Sequence, residues 1–255
     1  MNFKTESLTY SHSYTPAPEK IDFVTHVHTS YEVLFVYRGH GRFLIEDAEY
    51  SCEPNALFLI PPGKYHVLEQ TPNEAYERCV INFSSRLLPQ VIERGQSFYR
   101  VTDDRVRALF QKMTTYTETY AGEALETLLK ACITEILVSV ILARGEEVEG
   151  RNVPPLIKNA IEYINTHLDE PLSVSHIADA LFVSGTHLSH IFSETMNTGL
   201  MHYVTIKKTY AAREMLRNGA SVTDVCERFG YRSYPTFLRN YRAQFGINPS
   251  QEKRR

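Results

Sequence analysis

The C-terminal part of the chain contains one helical pattern twice. In residues 221–246, a serine that can cap a helix is followed by apolar residues at helical spacing and by Gly230, which suits a tight turn. A second helix follows with aromatic residues on one face: Phe237, Tyr241 and Phe245. Residues 173–197 repeat this order, and Leu188 precedes Phe237 by 49 positions. Because repetition of both helices rarely arises by chance, the sequence predicts two helix-turn-helix units.

The exposed face of the last helix indicates what these units bind. Thr236 and Arg239 project away from its apolar side, and Arg242 lies on its flank. Arginine can bond guanine edges, and small side chains let a helix approach the base pairs closely. Two units on one chain can enter successive major-groove segments of double-stranded DNA. A plain helical hairpin with a solvated basic face is the alternative, and the repeat favours DNA binding over it.

The two parts of the chain differ in charge. Residues 151–255 carry 13 Lys and Arg against 9 Asp and Glu, a net charge of +4, whereas residues 1–150 carry 14 against 21, a net charge of −7. This asymmetry indicates two domains with different partners, although so modest a basic excess does not by itself establish nucleic-acid binding. The N-terminus lacks the apolar core of a signal peptide, and the most apolar run, residues 133–143, is too short to span a bilayer. With four scattered cysteines and no paired Cys motif, we expect a cytoplasmic protein without a membrane segment.

Short apolar runs alternate with turn residues between positions 22 and 83, which predicts an antiparallel barrel or sandwich. This segment contains four candidate metal ligands: His26, His28, Glu32 and His66. Three imidazoles and a carboxylate suit zinc or another divalent transition metal. Alternatively, the four residues line a small-molecule pocket or fill the barrel with hydrogen-bonded polar groups. Further candidates for binding a sugar or a carboxylate effector are Tyr37, Arg42 and Tyr65.

The same segment resembles the cupins in two motifs. The first cupin motif, H-x-H-x(3,4)-E-x(6)-G, is matched by residues 26–39, and the second, G-x(5)-P-x-G-x(2)-H-x(3)-N, is matched in residues 55–70. Asn55 stands in place of the first glycine of the second motif, and Gln70 in place of its asparagine. The resemblance implies a cupin-type β-barrel in which the four candidate ligands line the metal or effector site.

The pattern changes to helical spacing in residues 103–145, which predicts two helices after a barrel of about residues 1–95. The second helix is apolar over more than half of its circumference, so we expect it to pack against a second copy of the chain and form a homodimer. An intrachain partner helix is the alternative. Residues 146–155 are charged and end in Pro-Pro, which indicates a linker between an N-terminal domain (1–150) and a C-terminal domain (151–255).

Residues 154–251 resemble the DNA-binding domain of the AraC family of bacterial transcription regulators. The family pattern has G-F-x-x-x-S-x-F near the second turn and G-x-x-P near the end, and this chain has residues 230–231 and Phe237 at the first and residues 246–249 at the second. Pro235 stands in place of the usual serine. Many members carry an N-terminal cupin-like effector domain. The resemblance therefore implies an α+β two-domain fold: an N-terminal cupin-like β-barrel with a helical dimerisation pair, then a C-terminal all-α domain with two helix-turn-helix motifs.

The resemblance also implies roles for single residues. Those implied to contact DNA are Thr186, Ser189 and His190 in the first recognition helix, Tyr234, Thr236 and Arg239 in the second, Arg242 on phosphate, and Lys208 in the linker helix. His190 is alternatively a solvated surface residue. Family members commonly answer a small molecule, often a sugar, so the implied function is a sequence-specific, effector-responsive transcription regulator without enzyme activity.

Two other functions remain open on the sequence. One is a metal-dependent cupin enzyme fused to a DNA-binding domain. The four candidate ligands permit this function, but the sequence shows no second catalytic group beside them. The other is a dimeric DNA-binding protein whose barrel is only structural. A ligand that shifts the melting temperature of the N-terminal domain would exclude this last function.

Overall fold

The computed structural model describes residues 2–5, 7–17, 27–84, 87, 97–101, 103–142, 150–231 and 233–252. The candidate ligand His26 and residues 146–149 of the expected linker therefore lie outside the described residues. Within the described ranges, no helix has the length and apolar character needed to cross a bilayer.

The strands of the N-terminal domain form two antiparallel sheets. In chain order they are β1 (Asn2–Lys4), β2 (Leu8–Thr15), β3 (Tyr31–Arg38), β4 (Gly41–Ile45), β5 (Ala48–Cys52), β6 (Ala56–Ile60), β7 (His66–Gln70), β8 (Tyr76–Phe83), β9 (Ser97–Arg100) and β10 (Arg151–Asn152). The first sheet has the order β1-β2-β8-β3-β6-β9, and the second has the order β10-β5-β4-β7. This architecture confirms the expected sheet-rich N-terminal domain. The last strand comes from the expected linker, because Arg151 pairs with Glu49 of β5.

Apolar side chains fill the space between the two sheets. Side chains alternate along β3, so Leu34 and Val36 point inward to this core while their neighbours point outward. The ring of Phe58 packs against the rings of Phe43 at 4.5 Å and Phe98 at 4.6 Å between centroids. The centre of the barrel is therefore a packed apolar core.

Two helices cover the outer face of the first sheet. They are α1 (Asp104–Thr119) and α2 (Gly122–Leu142), and the ring of Phe110 stacks on that of Phe35 at 4.5 Å. The apolar side of α2 is buried in the same cluster, with Ile133 and Ile136 almost fully covered. The sheet and α1 thus cover the apolar face that led us to expect a homodimer. Dimerisation stays a prediction, but the width of this face no longer argues for it.

The C-terminal domain is built from helices alone in the part that the structure describes after β10. They are α3 (Pro155–Thr166), α4 (Val174–Ala180), α5 (Gly185–Met196), α6 (Leu200–Arg217), α7 (Val222–Arg228), α8 (Tyr234–Phe245) and a short 3-10 helix, Pro249–Gln251. The pairs α4–α5 and α7–α8 form the two helix-turn-helix units, each with a shared apolar cluster, and α6 lies between them in the chain. This arrangement confirms the fold class expected from the sequence.

Local sequence signals explain where these helices begin and turn. Ser221, the serine expected to cap this helix, forms a capping box with Asp224 at the start of α7. Ser233 precedes α8 without a side-chain hydrogen bond to it. The turn of the second unit places Gly230 at φ +64°, whereas the equivalent residue of the first unit is Phe182 at φ +57°.

The two domains share a buried surface. The outer face of the second sheet contributes Leu44 and Val67 to an apolar cluster that also contains Ile157 of α3 and Ile206 of α6. Gly63 packs so closely on α6 that an added Cβ atom would lie 2.6 Å from a ring carbon of Tyr210. The barrel therefore contacts α6, the linker helix between the two helix-turn-helix units, directly.

Candidate functional site

Three of the four candidate ligands converge at one end of the barrel. One potential ligand atom from each of His28, Glu32 and His66 lies within 4.8 Å of the others, and these three residues are called the His-Glu cluster. Glu32 is near the start of β3, His66 begins β7, and His28 lies in the segment before β3. Glu32 and His66 are only 5% and 2% exposed, so the cluster is largely shielded from water.

Hydrogen bonds to the backbone fix the orientation of both imidazole rings. Nδ1 of His28 lies 2.9 Å from the carbonyl oxygen of Ser30, and Nδ1 of His66 lies 2.9 Å from that of Lys64. Because a carbonyl oxygen can only accept, each Nδ1 carries a proton, and the Nε2 atom of each ring is turned towards the carboxylate of Glu32. The Nε2–carboxylate distances are 3.1 Å for His28 and 3.9 Å for His66. An Nδ1–H that is anchored on a carbonyl oxygen is typical of histidines that bind metal.

Two other candidate effector residues face away from the His-Glu cluster. Tyr37 lies on the outer face of β3, where the guanidinium group of Arg107 stands over its ring at 5.2 Å. Arg42 lies on the outer face of β4 and pairs with Glu49 at 3.0 Å and with Glu69 at 2.8 Å. The expectation that Tyr37 and Arg42 line an effector pocket is therefore wrong, because adjacent residues of a strand point to opposite faces.

The first recognition helix, α5, presents a nearly uncharged surface. Thr186 and His190 are exposed, and Ser189 is half-buried. The helix contains no Lys or Arg, and Nε2 of His190 lies 3.4 Å from a carboxylate oxygen of Glu194. The helix therefore offers no Lys or Arg side chain to a phosphate group.

The second recognition helix, α8, presents the basic surface. Tyr234, Arg239 and Arg242 are exposed, and Thr236 is half-buried. Nε and Nη2 of Arg242 donate to Oδ1 of Asn248 at 3.2 Å and 2.6 Å. The guanidinium group of Arg242 is thereby held at the C-terminal end of the helix, while Arg239 lies on the exposed face.

The sequence matches two family models. Residues 16–131 match the AraC-like ligand binding domain, and residues 177–255 match a helix-turn-helix domain. The order of the two matches is the order of the two folded domains. The chain belongs to the AraC family of transcriptional regulators.

Curated relatives of this AraC-family regulator are similar over most of its length. The uncharacterized HTH-type transcriptional regulator YfiF of Bacillus subtilis (strain 168) is 22% identical over 257 residues, with 94% of this chain and 82% of that protein covered. The probable transcriptional regulator LumQ of Photobacterium leiognathi is 22% identical over 253 residues, with 98% and 95% covered. The XylDLEGF operon transcriptional activator 1 of Pseudomonas putida is 21% identical over 244 residues, with 89% and 75% covered. The protein is a DNA-binding transcription regulator with a ligand-binding domain.

Within this AraC-family regulator, Lys208 has a different position from the one that the resemblance implied. Its side chain is buried, with 8% of the residue exposed. Nζ donates to the carbonyl oxygen of Phe229 at 2.9 Å and to that of Glu170. The expectation that Lys208 contacts DNA is therefore wrong, because its ammonium group is enclosed between the two helix-turn-helix units.

The sequence reasoning missed a buried polar contact between the two domains. Glu46, in the turn between β4 and β5, accepts hydrogen bonds from Nζ of Lys207 at 2.8 Å, from the hydroxyl of Tyr203 at 3.0 Å and from the backbone N–H of Tyr65 at 2.8 Å. Burial acts to raise the pKa of Glu46, but Lys207 and the N–H of Tyr65 outweigh it and hold that pKa below its usual value. The carboxylate is therefore charged and fully engaged at neutral pH.

Tyr65 belongs to the same contact and not to a pocket in the barrel, which corrects the expectation for this residue. Its hydroxyl donates to the carbonyl oxygen of Met196, the last residue of α5, at 2.9 Å. A signal for this surface was present in the sequence of α6. Tyr203, Lys207 and Tyr210 recur every three or four positions, which places them on one face of the helix.

Proposed function

We propose that this AraC-family regulator responds to an effector bound at the His-Glu cluster, and that a divalent transition metal ion is part of that effector site. The proposal is supported by the convergence of two Nε2 atoms and a carboxylate within 4.8 Å. The donor set fits zinc and its neighbours among the transition metals. The residues that would hold the ion are His28, Glu32 and His66, and a bound ion would offer further positions to oxygen ligands.

An oxygen-rich metabolite, such as a sugar, is the class of organic effector that this site would take. The described interior of the barrel is otherwise lined mainly by apolar side chains, so polar partners for such a molecule concentrate at the His-Glu cluster. Hydroxyl and carboxylate oxygens bind well to a divalent ion that its protein ligands leave partly open. In this proposal, the regulator responds when the effector occupies the His-Glu cluster, and the effector undergoes no chemical reaction there.

We propose further that α5 and α8 bind successive major-groove segments of a double-stranded operator, about 34–36 Å apart. The residues that would read or bind the DNA are Thr186, Ser189, His190, Tyr234, Thr236, Arg239 and Arg242. Because α8 carries the arginines and α5 carries none, α8 would supply most of the affinity. Binding should therefore fall steeply as the salt concentration rises.

Elemental mass spectrometry of natively purified protein tests the metal site. We expect about one equivalent of a divalent transition metal in the wild-type chain and a strong loss in His66→Ala. His40→Ala is the matched control, because His40 is an exposed histidine of the same domain that pairs with Glu74. Metal that persists in His66→Ala, or that is absent from the wild-type chain, would reject the metal site.

Operator binding tests the response. An operator can be selected from random duplexes with the full-length chain, and its affinity can then be measured with and without added Zn²⁺. We expect a change in the dissociation constant for the wild-type chain and for His40→Ala, and no change for His66→Ala. The same affinity under all conditions would show that the barrel does not regulate DNA binding.

A further inference from the structure

We infer that occupation of the His-Glu cluster is transmitted to both helix-turn-helix units, because the cluster lies between the two stretches of the barrel that hold them. These stretches are the first contact segment, residues 27–30, and the second contact segment, residues 61–66. His28 belongs to the first and His66 to the second. The inference rests on the proposed effector site and adds the route by which that site acts on the DNA-binding domain.

The first contact segment holds the second helix-turn-helix unit. The carbonyl oxygen of Val27 accepts a hydrogen bond from Nε2 of Gln244 in α8 at 3.2 Å. Oγ1 of Thr29 accepts from Nη1 of Arg213 in α6 at 3.3 Å. These two residues flank His28 on either side. A displacement of His28 therefore moves the atoms that bind the C-terminal end of α8 and the linker helix.

The second contact segment holds the first helix-turn-helix unit. The hydroxyl of Tyr65, the residue before the cluster ligand, donates to the carbonyl oxygen of Met196 at the end of α5 at 2.9 Å. The carbonyl oxygen of Gly63 accepts from Nζ of Lys207 at 3.1 Å. The same glycine is packed against the ring of Tyr210 without room for a Cβ atom. This segment cannot shift without moving α6 or losing its contact with α5.

The two contact segments meet at the cluster. The N–H of Gly63 donates to the carbonyl oxygen of His28 at 3.0 Å, and the rings of His28 and His66 approach edge to face at 4.9 Å between centroids. An ion held by both histidines and Glu32 would cross-link the segments. Because a ligand stabilises the arrangement to which it binds, the segments and the helix ends that they hold would open less often.

The consequence for DNA binding follows from the contacts at the two helix ends. Both recognition helices are held near their C-terminal ends, at Met196 and Gln244, whereas Thr186, Tyr234 and Arg239 remain exposed for DNA. The two units have to match the spacing of successive groove segments. A site that restrains both units at once therefore controls their relative placement without covering the surface that reads the bases.

Hydrogen–deuterium exchange of the full-length chain, with and without Zn²⁺, tests this route. The variant combines Tyr65→Phe with Gln244→Ala, so that one side-chain contact to each recognition helix is lost while the cluster stays intact. Tyr163→Phe is the matched control, because it removes a tyrosine hydroxyl that bonds to His176 within the DNA-binding domain at 3.2 Å. The amides to follow are those of the contact segments and of residues 193–196 and 242–245.

For the wild-type chain, Zn²⁺ at about 100 times its dissociation constant should slow exchange by up to about 100-fold in the contact segments and in the helix ends that open with them. In the double variant, the slowing should persist in the contact segments and disappear from residues 193–196 and 242–245. The control should behave as the wild-type chain does.

Three other results would overturn the inference, and they differ in what else they reject. Protection confined to the contact segments of the wild-type chain would remove the transmission and leave the effector site standing. Equal protection of the helix ends in the double variant would show that the signal does not travel through Tyr65 and Gln244. An absence of protection anywhere would reject the metal site and, with it, the inference.

Discussion

The ammonium group of Lys208 binds one carbonyl oxygen from each half of the DNA-binding domain, those of Glu170 and Phe229. Burial lowers the pKa of this group, and the neighbouring acidic residues Asp169 and Glu170 offset part of that effect. The charge therefore serves the packing of the two helix-turn-helix units against each other. Its loss should affect stability and leave the DNA-binding surface unchanged.

Lys208→Met removes both hydrogen bonds and leaves two carbonyl oxygens without this donor. We expect the free energy of unfolding, measured by urea denaturation at pH 7, to fall by about 1–3 kcal/mol. Lys112→Met, at an exposed lysine of α1, is the control and should change stability by less than about 0.5 kcal/mol. A Lys208→Met protein with wild-type stability and weakened operator binding would restore the role in DNA contact that we reject.

Phe182 carries backbone strain without a compensating contact among the described residues. Its φ is +57° and it is 95% exposed, whereas the equivalent residue of the second unit is Gly230. Asparagine adopts this conformation more easily than phenylalanine does. We expect Phe182→Asn to raise the free energy of unfolding by about 1 kcal/mol and Phe182→Leu to leave it nearly unchanged. Equal thermal melting temperatures for the two variants would contradict this explanation.

Glu252 provides a prediction for pH dependence. Its carboxylate accepts hydrogen bonds from the hydroxyl of Tyr241 at 2.6 Å and from Nε of Arg213 and Arg217 at 2.8 Å and 2.9 Å. Burial acts to raise the pKa of Glu252, but these three donors outweigh it, so the pKa is lower in the folded chain than in the unfolded one. Its stabilising contribution is therefore complete above the unfolded pKa of about 4.3 and is lost as the pH falls through the folded value.

We expect Glu252→Gln to lower the free energy of unfolding at pH 7 by about 1.5–3 kcal/mol, and the difference from the wild-type chain to shrink towards zero under more acidic conditions. Chemical denaturation at a series of pH values measures this. Glu118→Gln, at an exposed carboxylate near the end of α1, is the control and should show little difference at any pH. A Glu252→Gln deficit that is constant across the pH range would show that the effect comes from packing and not from the charge.

Helix α8 carries two arginines that differ in their surroundings and in the role that we expect for each. Arg239 stands on the exposed face, whereas Arg242 is held by Asn248 near the C-terminal end. Arg239→Ala should cost about 1–3 kcal/mol in operator binding and relax specificity at one base position. Arg242→Ala should weaken binding to all duplexes alike and reduce the dependence on salt. Fluorescence anisotropy with the operator and its single-base variants distinguishes the two results, and a uniform loss in Arg239→Ala would remove its role in base reading.

Helices of this chain could be predicted well because their signals are local. The capping box of Ser221 and Asp224 and the spacing of apolar residues place α7 and α8 without reference to the rest of the fold. Strand β3 behaves differently, because its residues 32–37 are all buried and both of its faces are covered. Because this strand lacks an alternation of apolar and polar residues, its sequence did not indicate that Glu32 points inward and Tyr37 outward.

In the whole molecule, local sequence patterns did not indicate which residues pair across the contact between the two domains. Tyr65 and Met196 are separated by 131 positions, and Glu46 and Lys207 by 161. Three of the four candidate ligands were brought together as the motif implied, since the motif itself fixes their places on the barrel. The spacing of Tyr203, Lys207 and Tyr210 places them on one face of α6, but the surface that covers this face depends on how the two folded domains dock.

The docking itself can be tested at the Glu46–Lys207 pair. Both side chains are nearly buried, at 5% and 11% exposure, so Lys207→Met leaves a carboxylate in the interface without its cation. Such a loss typically costs about 3–5 kcal/mol, and replacing both partners by apolar residues recovers much of it. Lys158→Met is the control on the same interface, because its pair with Asp47 is exposed and 3.8 Å long.

In differential scanning calorimetry we expect the wild-type chain to unfold in one transition, because the interface couples the two domains. Lys207→Met should unfold in two transitions at a lower temperature, since the barrel and the helical domain each retain a core of their own. Glu46→Leu combined with Lys207→Met should return towards a single transition, because the buried charge is no longer left alone. If Lys207→Met melts as Lys158→Met does, the ion pair does not hold the domains together, and the apolar contacts of α6 alone account for their docking.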